Sequence, residues 1–404
     1  MTEQPSRSDI HLVSGDFWGR DPQEELTWMR HHAPVYWDEN SGLWGISKHR
    51  DVQYISKRPD PFSSAQGMRP DADAMPMMID TDDPQHVARR KLVSQGFTPR
   101  RVATQEDRIR EISDAILDNV CERGECDFVW DIAARLPLIV IADALGFDPE
   151  DWDRLLGWSD DMLRGLVGIA DDERLVLATE AFEGYSAYIS EVIERRRAEP
   201  RDDLVGVLVR AEVDGDSLDR DSLIYESLLL LIGGDETTRH VISGGAYQLF
   251  NHPEQYRKLV QDPAKIPVAV EEMLRWVSPI KNMARTVTRD VEVGGRLLRE
   301  GDKLLLLYPS ANRDEDVFED PFRFDIERSP NDHLAFGVGS HFCMGNSLAR
   351  LELRVMFEQL LQRIPDLALS GTEEPERRPA NFVSGYESMP VTFTPQPKRE
   401  PAVR

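Results

Sequence analysis

Apolar residues follow two rhythms along this chain. Between Val35 and Ile46 they alternate with polar residues around Asn40-Ser41-Gly42, the pattern of a β-hairpin, and short strands are also expected within Val287 to Leu298. From about Pro99 to Arg275 they recur at three and four positions, with breaks at Gly146, Pro149 and Pro200, so this stretch is predicted to be mostly helical. The chain therefore reads as mainly α with small β-sheets.

The longest predicted helix runs from Asp221 to Phe250, with an acidic start, a leucine-rich body and a stop at Asn251-His252-Pro253. Gly233-Gly234 interrupts its middle, where each glycine costs roughly 1 kcal/mol against alanine. The polar run Asp235-Glu236-Thr237-Thr238 follows directly. Two missing side chains let a ligand lie against the helix. A threonine there can bond a carbonyl of the preceding turn and loosen the ladder. Destabilising and polar residues together inside an apolar helix predict a site.

A second irregularity is Phe336-Gly337-Val338-Gly339-Ser340-His341-Phe342-Cys343-Met344-Gly345, a glycine-bent loop entering the helix-patterned Asn346 to Leu353. Glycines let backbone turn tightly against a flat ring, Phe336 and Phe342 can shield the sulfur, and a helix N-terminus favours thiolate over thiol. A lone cysteine is otherwise a small buried hydrophobe.

Length and charge narrow the picture further. At 404 residues with no linker, repeat or long charge block, one large domain over residues 16–394 is expected, flanked by an N-terminal segment 1–15 and a polar tail 395–404. The start lacks the order of a signal peptide and no apolar run is long enough to span a membrane. A net charge of -25 argues against nucleic acid. Arg89, Arg90, Lys91, Arg100 and Arg101 form a basic cluster that either docks an acidic partner or is an ordinary solvated helix face. Three cysteines, Cys121, Cys126 and Cys343, give no disulfide framework, fit a reducing cytoplasm, and cannot furnish four thiolates for an iron-sulfur cluster.

The loop Phe-Gly-x-Gly-x-His-x-Cys-x-Gly resembles the haem-binding signature of the cytochromes P450, the haem-thiolate monooxygenases. The resemblance implies a single-domain helical prism around a buried haem b, with Cys343 as the axial iron ligand and Phe336 and Gly345 beside the ring. Gly233-Gly234-Asp235-Glu236-Thr237-Thr238 resembles the family's oxygen-activating motif, in which Gly233 and Gly234 open a groove for dioxygen and Glu236 and Thr237 relay protons, Glu236 gathering them from solvent. Glu272 and Arg275 match the Glu-x-x-Arg motif, a buried pair implied to lock the cysteine loop. His86, Arg90, Arg285 and His341 match the positions implied to hold the haem propionates.

Several segments, among them Met77-Met78-Ile79-Asp80, Pro279-Ile280-Lys281-Asn282-Met283 and Arg378 to Gly385, are similar to actinobacterial steroid C26-monooxygenases. That likeness implies oxidation of the terminal methyl of cholesterol or cholest-4-en-3-one, with onward oxidation to the acid left open. Electrons would come from NAD(P)H through a ferredoxin and its reductase, since no flavin or nicotinamide fingerprint is present. Met75, Met77, Met78, Leu166, Val167, Ile280, Met283, Phe382 and Val383 are the expected pocket wall, with ordinary core packing as the other reading. Two alternatives stay open at this level: the same chemistry on a fatty acid, terpene or polyketide, and a non-catalytic haem-thiolate sensor.

Overall fold

The computed structural model describes residues 5–165, 172–213 and 216–399. Helices dominate it. The expected hairpin forms from Val35–Asp38 and Leu43–Ile46, paired antiparallel with Trp37 opposite Trp44. It is one side of a five-stranded sheet that continues through Lys303–Leu307 and Asn282–Val287 to Phe62–Ser63. The hairpin joins Lys303–Leu307 in parallel, whereas the other pairs are antiparallel.

The strand period of two matters at Asn282–Val287. Ala284 packs with Leu305 and Leu307 in the core under the sheet, while Met283 and Arg285 turn to the opposite face, where both line a cavity. The stretch expected to hold short strands, Val287 to Leu298, ends the Asn282–Val287 strand and adds a small hairpin of Val291–Val293 with Arg296–Leu298.

The long helix is Arg220–Asn251, capped by Asp219, whose side chain accepts from Ser222 N at 2.7 Å. It stays continuous through Gly233-Gly234. Its packing explains why. A Cβ on Gly234 would meet Ile141 Cγ1 at 2.7 Å, so this glycine allows the Arg135–Leu145 helix to approach closely, whereas a Cβ on Gly233 would meet nothing within 4 Å. The ligand-facing role expected of both glycines thus divides: Gly233 opens space and Gly234 mainly seats a neighbouring helix. Helices Ile266–Val277 and Asn346–Arg363 pack against the same long helix and bring the two irregular sequence regions together.

Candidate active site

The cavity between the long helix and the cysteine loop contains about 1510 Å³ free of protein atoms, part of it open to solvent. Along Arg220–Asn251 the lining positions are Leu229, Leu230, Gly233, Gly234, Thr237, Thr238 and Val241, spaced by three and four as one helix face must be. Asp235, Glu236, Arg239 and His240 lie off that face and are fully buried.

On the opposite wall the backbone of the loop turns through Gly337 at φ 64° and Gly339 at φ 85°. Gly339 is required twice, because a Cβ there would also sit 2.2 Å from the carbonyl oxygen of Ser56. Cys343 N donates to Phe336 O at 2.9 Å and Asn346 Nδ2 donates to Cys343 O at 2.8 Å, fixing the cysteine just ahead of the Asn346–Arg363 helix. Phe336 meets Phe342 edge-on at 6.4 Å and carries the Arg350 guanidinium 4.5 Å from its ring centre, though Phe342 itself is exposed. Burial pushes the Cys343 thiol up, against the lowering influence of the Gly345 and Asn346 amides and of Arg90. The lowering expected from the helix N-terminus is thus outweighed at Cys343 by burial.

One side of the cavity is cationic. His86 and Arg90 are four residues apart on helix Gln85–Ser94 and both face inward. His86 stacks on His341 with ring centres 4.0 Å apart, and Ser64 Oγ lies 3.3 Å from His341 Nε2. Arg90 donates to the Phe342 carbonyl and Arg285 to its own strand at Ala284 O, 2.7 Å away. Among the described residues, neither Arg90 nor Arg285 has a carboxylate partner. Burial holds His86 below its ordinary value and drives His341 down to about 3, so both imidazoles are neutral. Two guanidiniums without ion pairs and a thiol on the same cavity fit a flat ring that carries anionic substituents and a thiolate-ligated iron, which is what haem offers.

Thr237 Oγ1 donates to Gly233 O at 3.0 Å, the local loosening expected from a threonine at this point. Glu236 does not face the cavity or bulk water. Its carboxylate meets Arg239 directly and lies 3.5 Å from Arg378 Nη1 and 3.7 Å from His240 Nε2. Both arginines also bond Asp160, and Arg378 reaches Glu387 at 3.0 Å. Burial raises Glu236 while these arginines oppose the shift. This ionic cluster therefore stands between Glu236 and solvent. Arg239, Asp160 and Glu387 were not singled out from sequence, because ion pairs between distant segments leave no local spacing signal.

Arg275 and Glu272 form a buried pair on helix Ile266–Val277. Glu272 also accepts from Arg328 Nε at 3.2 Å, Asn331 Nδ2 at 3.2 Å and Asp325 N at 2.9 Å, so the pair grips the segment leading to the cysteine loop. Direct contact with the cysteine helix comes from the preceding residue instead. Glu271 accepts from Arg350 Nε at 2.7 Å and Nη2 at 2.9 Å, and these contacts hold it down at about 2 in spite of burial.

Of the expected pocket wall, Met78, Ile280 and Met283 line the cavity. Met75, Met77, Phe382 and Val383 do not. The short 3-10 helix Met78–Asp80 turns Met78 and Ile79 inward, leaving Met77 in the core behind them. Val383 pairs with Ile280 across an isolated bridge and so backs the wall, and Phe382 packs under the Arg69 guanidinium, 5.0 Å away. Leu166 and Val167 lie outside the described residues. The basic cluster is also corrected: Arg89 turns in to Glu226 at 3.2 Å and Arg90 into the cavity, leaving Lys91, Arg100 and Arg101 exposed. Among the described residues no helix is long and apolar enough to cross a membrane.

The cytochrome P450 family pattern matches residues 171–385. A steroid C26-monooxygenase of Mycolicibacterium smegmatis is 51% identical over 396 residues, covering 98% of each chain. A methyl-branched lipid omega-hydroxylase of Mycobacterium bovis is 38% identical and covers 96% of this chain and 95% of its own. Among solved structures, a Mycobacterium marinum cytochrome P450 in complex with pseudoionone superposes with a TM-score of 0.90 at 34% identity, over 97% of this chain and all of the other.

Proposed function

The chain belongs to the cytochrome P450 family, and on that premise we propose that this monooxygenase hydroxylates the terminal side-chain methyl (C26/C27) of cholesterol or cholest-4-en-3-one, with further oxidation to the acid at the same carbon. The observation that carries the substrate is the 51% identity to a steroid C26-monooxygenase along nearly the whole length of both chains. The cavity supports it: Met78, Ile79, Leu229, Leu230, Ile280 and Met283 offer a long apolar wall.

Bound haem b supplies dioxygen activation with two electrons, delivered by a ferredoxin and its NAD(P)H-dependent reductase. Cys343 holds the iron, and Arg90, Arg285, His86 and His341 orient the ring through its propionates. Thr237 holds a proton donor at the cavity face of the long helix, and Glu236, the carboxyl behind it whose hold on a proton burial strengthens, is the acid that serves it. The apolar wall excludes water and presents a methyl terminus rather than a weaker tertiary C–H, so positioning sets the regiochemistry.

Titration of the holoenzyme with cholest-4-en-3-one tests the reading. The haem spectrum should move to high spin, and turnover with a surrogate ferredoxin system should give the terminal alcohol. No spectral change at saturation, or a product oxidised elsewhere, overturns it. A branched fatty acid that binds tighter and is turned over at its ω-carbon would move the substrate to that of the 38% identical relative.

A further inference from the structure

A second cleft opens where the C-terminal end of helix Ile266–Val277 meets the later turns of Arg220–Asn251 and the residues around Gln23. It contains about 640 Å³ free of protein atoms, part of it open to solvent, and shares no lining residue with the haem cavity. Arg20, Lys281, Arg313 and Arg377 all line it, against the single acid Asp21.

Two of these cations are answered elsewhere. Arg20 pairs with Glu25 at 2.7 Å and Arg377 with Glu374 at 2.8 Å. Lys281 and Arg313 have no ion pair: among the described residues no carboxylate contacts either, Asp21 acting on both only at longer range, and they are only 9% and 4% exposed. Lys281 Nζ donates to Ser278 O at 3.2 Å and Val277 O at 3.4 Å, and Arg313 Nη2 to Trp276 O at 2.9 Å. Those carbonyls end one helix, whose terminus carries about half a negative charge, set against two full positive ones. Arg313 Nε has no partner. Burying a charge without a partner is costly, and here burial is deep. The strain is visible in the groups themselves: Lys281 is pushed down to about 7 and Arg313 to about 9, by burial first and by their cationic neighbours second.

We propose that this cleft is an oxyanion site that takes a small phosphate-class anion between Lys281 and Arg313, with Arg377 closing over it. Such an anion supplies the missing counter-charge and accepts from Arg313 Nε and the third N–H of Lys281. It would also tie the residues around Gln23 to the start of the strand that carries Met283 and Arg285 into the haem cavity.

The test is thermal unfolding of the holoenzyme in a phosphate-free buffer, titrated with sodium phosphate against sodium chloride at matched ionic strength. A ligand that binds only the folded state raises Tm saturably, here by about 2–5 °C. Phosphate should do so and chloride should not. Lys281→Met, which keeps the apolar stem and removes the charge, should lose the shift, and the half-exposed Arg377→Gln should weaken it several-fold if the first variant folds poorly. Glycerol 3-phosphate distinguishes the source: binding as tight as inorganic phosphate assigns the cleft to an organic monoester, weaker binding to the free ion. Equal shifts with phosphate and chloride, an unchanged shift in both variants, or a larger shift with acetate overturn the proposal. The first of these would mean that Lys281 relieves its burial by losing its proton.

Discussion

Arg275 grips Glu272 with two prongs, Nε to Oε2 at 2.7 Å and Nη2 to Oε1 at 2.8 Å, both side chains being fully buried. The remaining guanidinium nitrogen donates to Asn312 O at 2.9 Å and Pro321 O at 3.0 Å. No polar atom of the arginine is left to water. Glu272→Gln should therefore cost about 3–5 kcal/mol, the usual penalty for stranding one member of a buried pair. A lowered urea midpoint together with lost haem incorporation checks this. Arg275→Lys should fail nearly as badly, because a point charge cannot reproduce the fork.

Gly339 and Gly345 offer a contrast within one loop. A side chain at Gly339 would collide with the Ser56 carbonyl at a backbone angle that side chains avoid, whereas one at Gly345 meets nothing within 4 Å. Gly339→Ala should cost about 2–4 kcal/mol from strain and overpacking combined. Gly345→Ala, which meets no protein atom but lines the cavity, should cost less than Gly339→Ala. Thermal midpoints of the two purified variants measure the difference directly.

Cys343→Ala should retain the fold but lose the thiolate-specific absorption of the reduced carbon monoxide complex. A spectrum identical to that of the parent protein would remove Cys343 as the iron ligand.

Thr237→Ala deletes the hydroxyl bonded to Gly233 O and, with it, one methyl of the cavity lining. Substrate affinity should hold within about twofold while hydroxylated product per electron consumed falls roughly tenfold, the lost reducing power appearing as peroxide. Glu236→Gln should show the same split, with an additional loss of stability because Arg239 and Arg378 lose a counter-charge. Product and peroxide counted against NAD(P)H consumed are the measurement.

Glu226 sits on the long helix 3.2 Å from Arg89, and burial still pushes it up to about 7. Between its ordinary value near 4.5 and that raised value, the folded chain keeps a proton that the unfolded chain has released. Its contribution is thus full below the lower value and lost as pH rises through the upper one. Glu226→Gln should flatten the fall in stability across pH 5–8 by up to about 3 kcal/mol, read from urea unfolding at several pH values.

Much of this was legible from spacing because the relevant groups act through short segments. The hairpin, the long helix and the loop around Cys343 each carry their pattern within a few dozen residues, and His86 with Arg90 needs only the helical repeat of four. Other relationships are invisible at that range. Glu236 is expected from its motif to gather protons from solvent, yet it is enclosed by Arg378 and Asp160, which the chain brings together from far away in sequence. Met77 looked equivalent to Met78, and only the 3-10 turn separates core from cavity wall. Arg89 belongs to a basic run by composition, but its partner Glu226 lies on another helix. Local pattern reports which face an element shows; it does not report what the facing element contributes.

The cavity wall is assembled from segments running from Met78 to Leu353, and it lines the space that the family's haem would take. Contacts between such distant segments form late, because each requires a long loop to close before it is rewarded. The innermost layer of this protein is thus completed by a molecule that the gene does not encode. Cells short of haem should lose folded chain along with cofactor occupancy, and supplementing a haem precursor during expression should raise total soluble protein as well as its haem content.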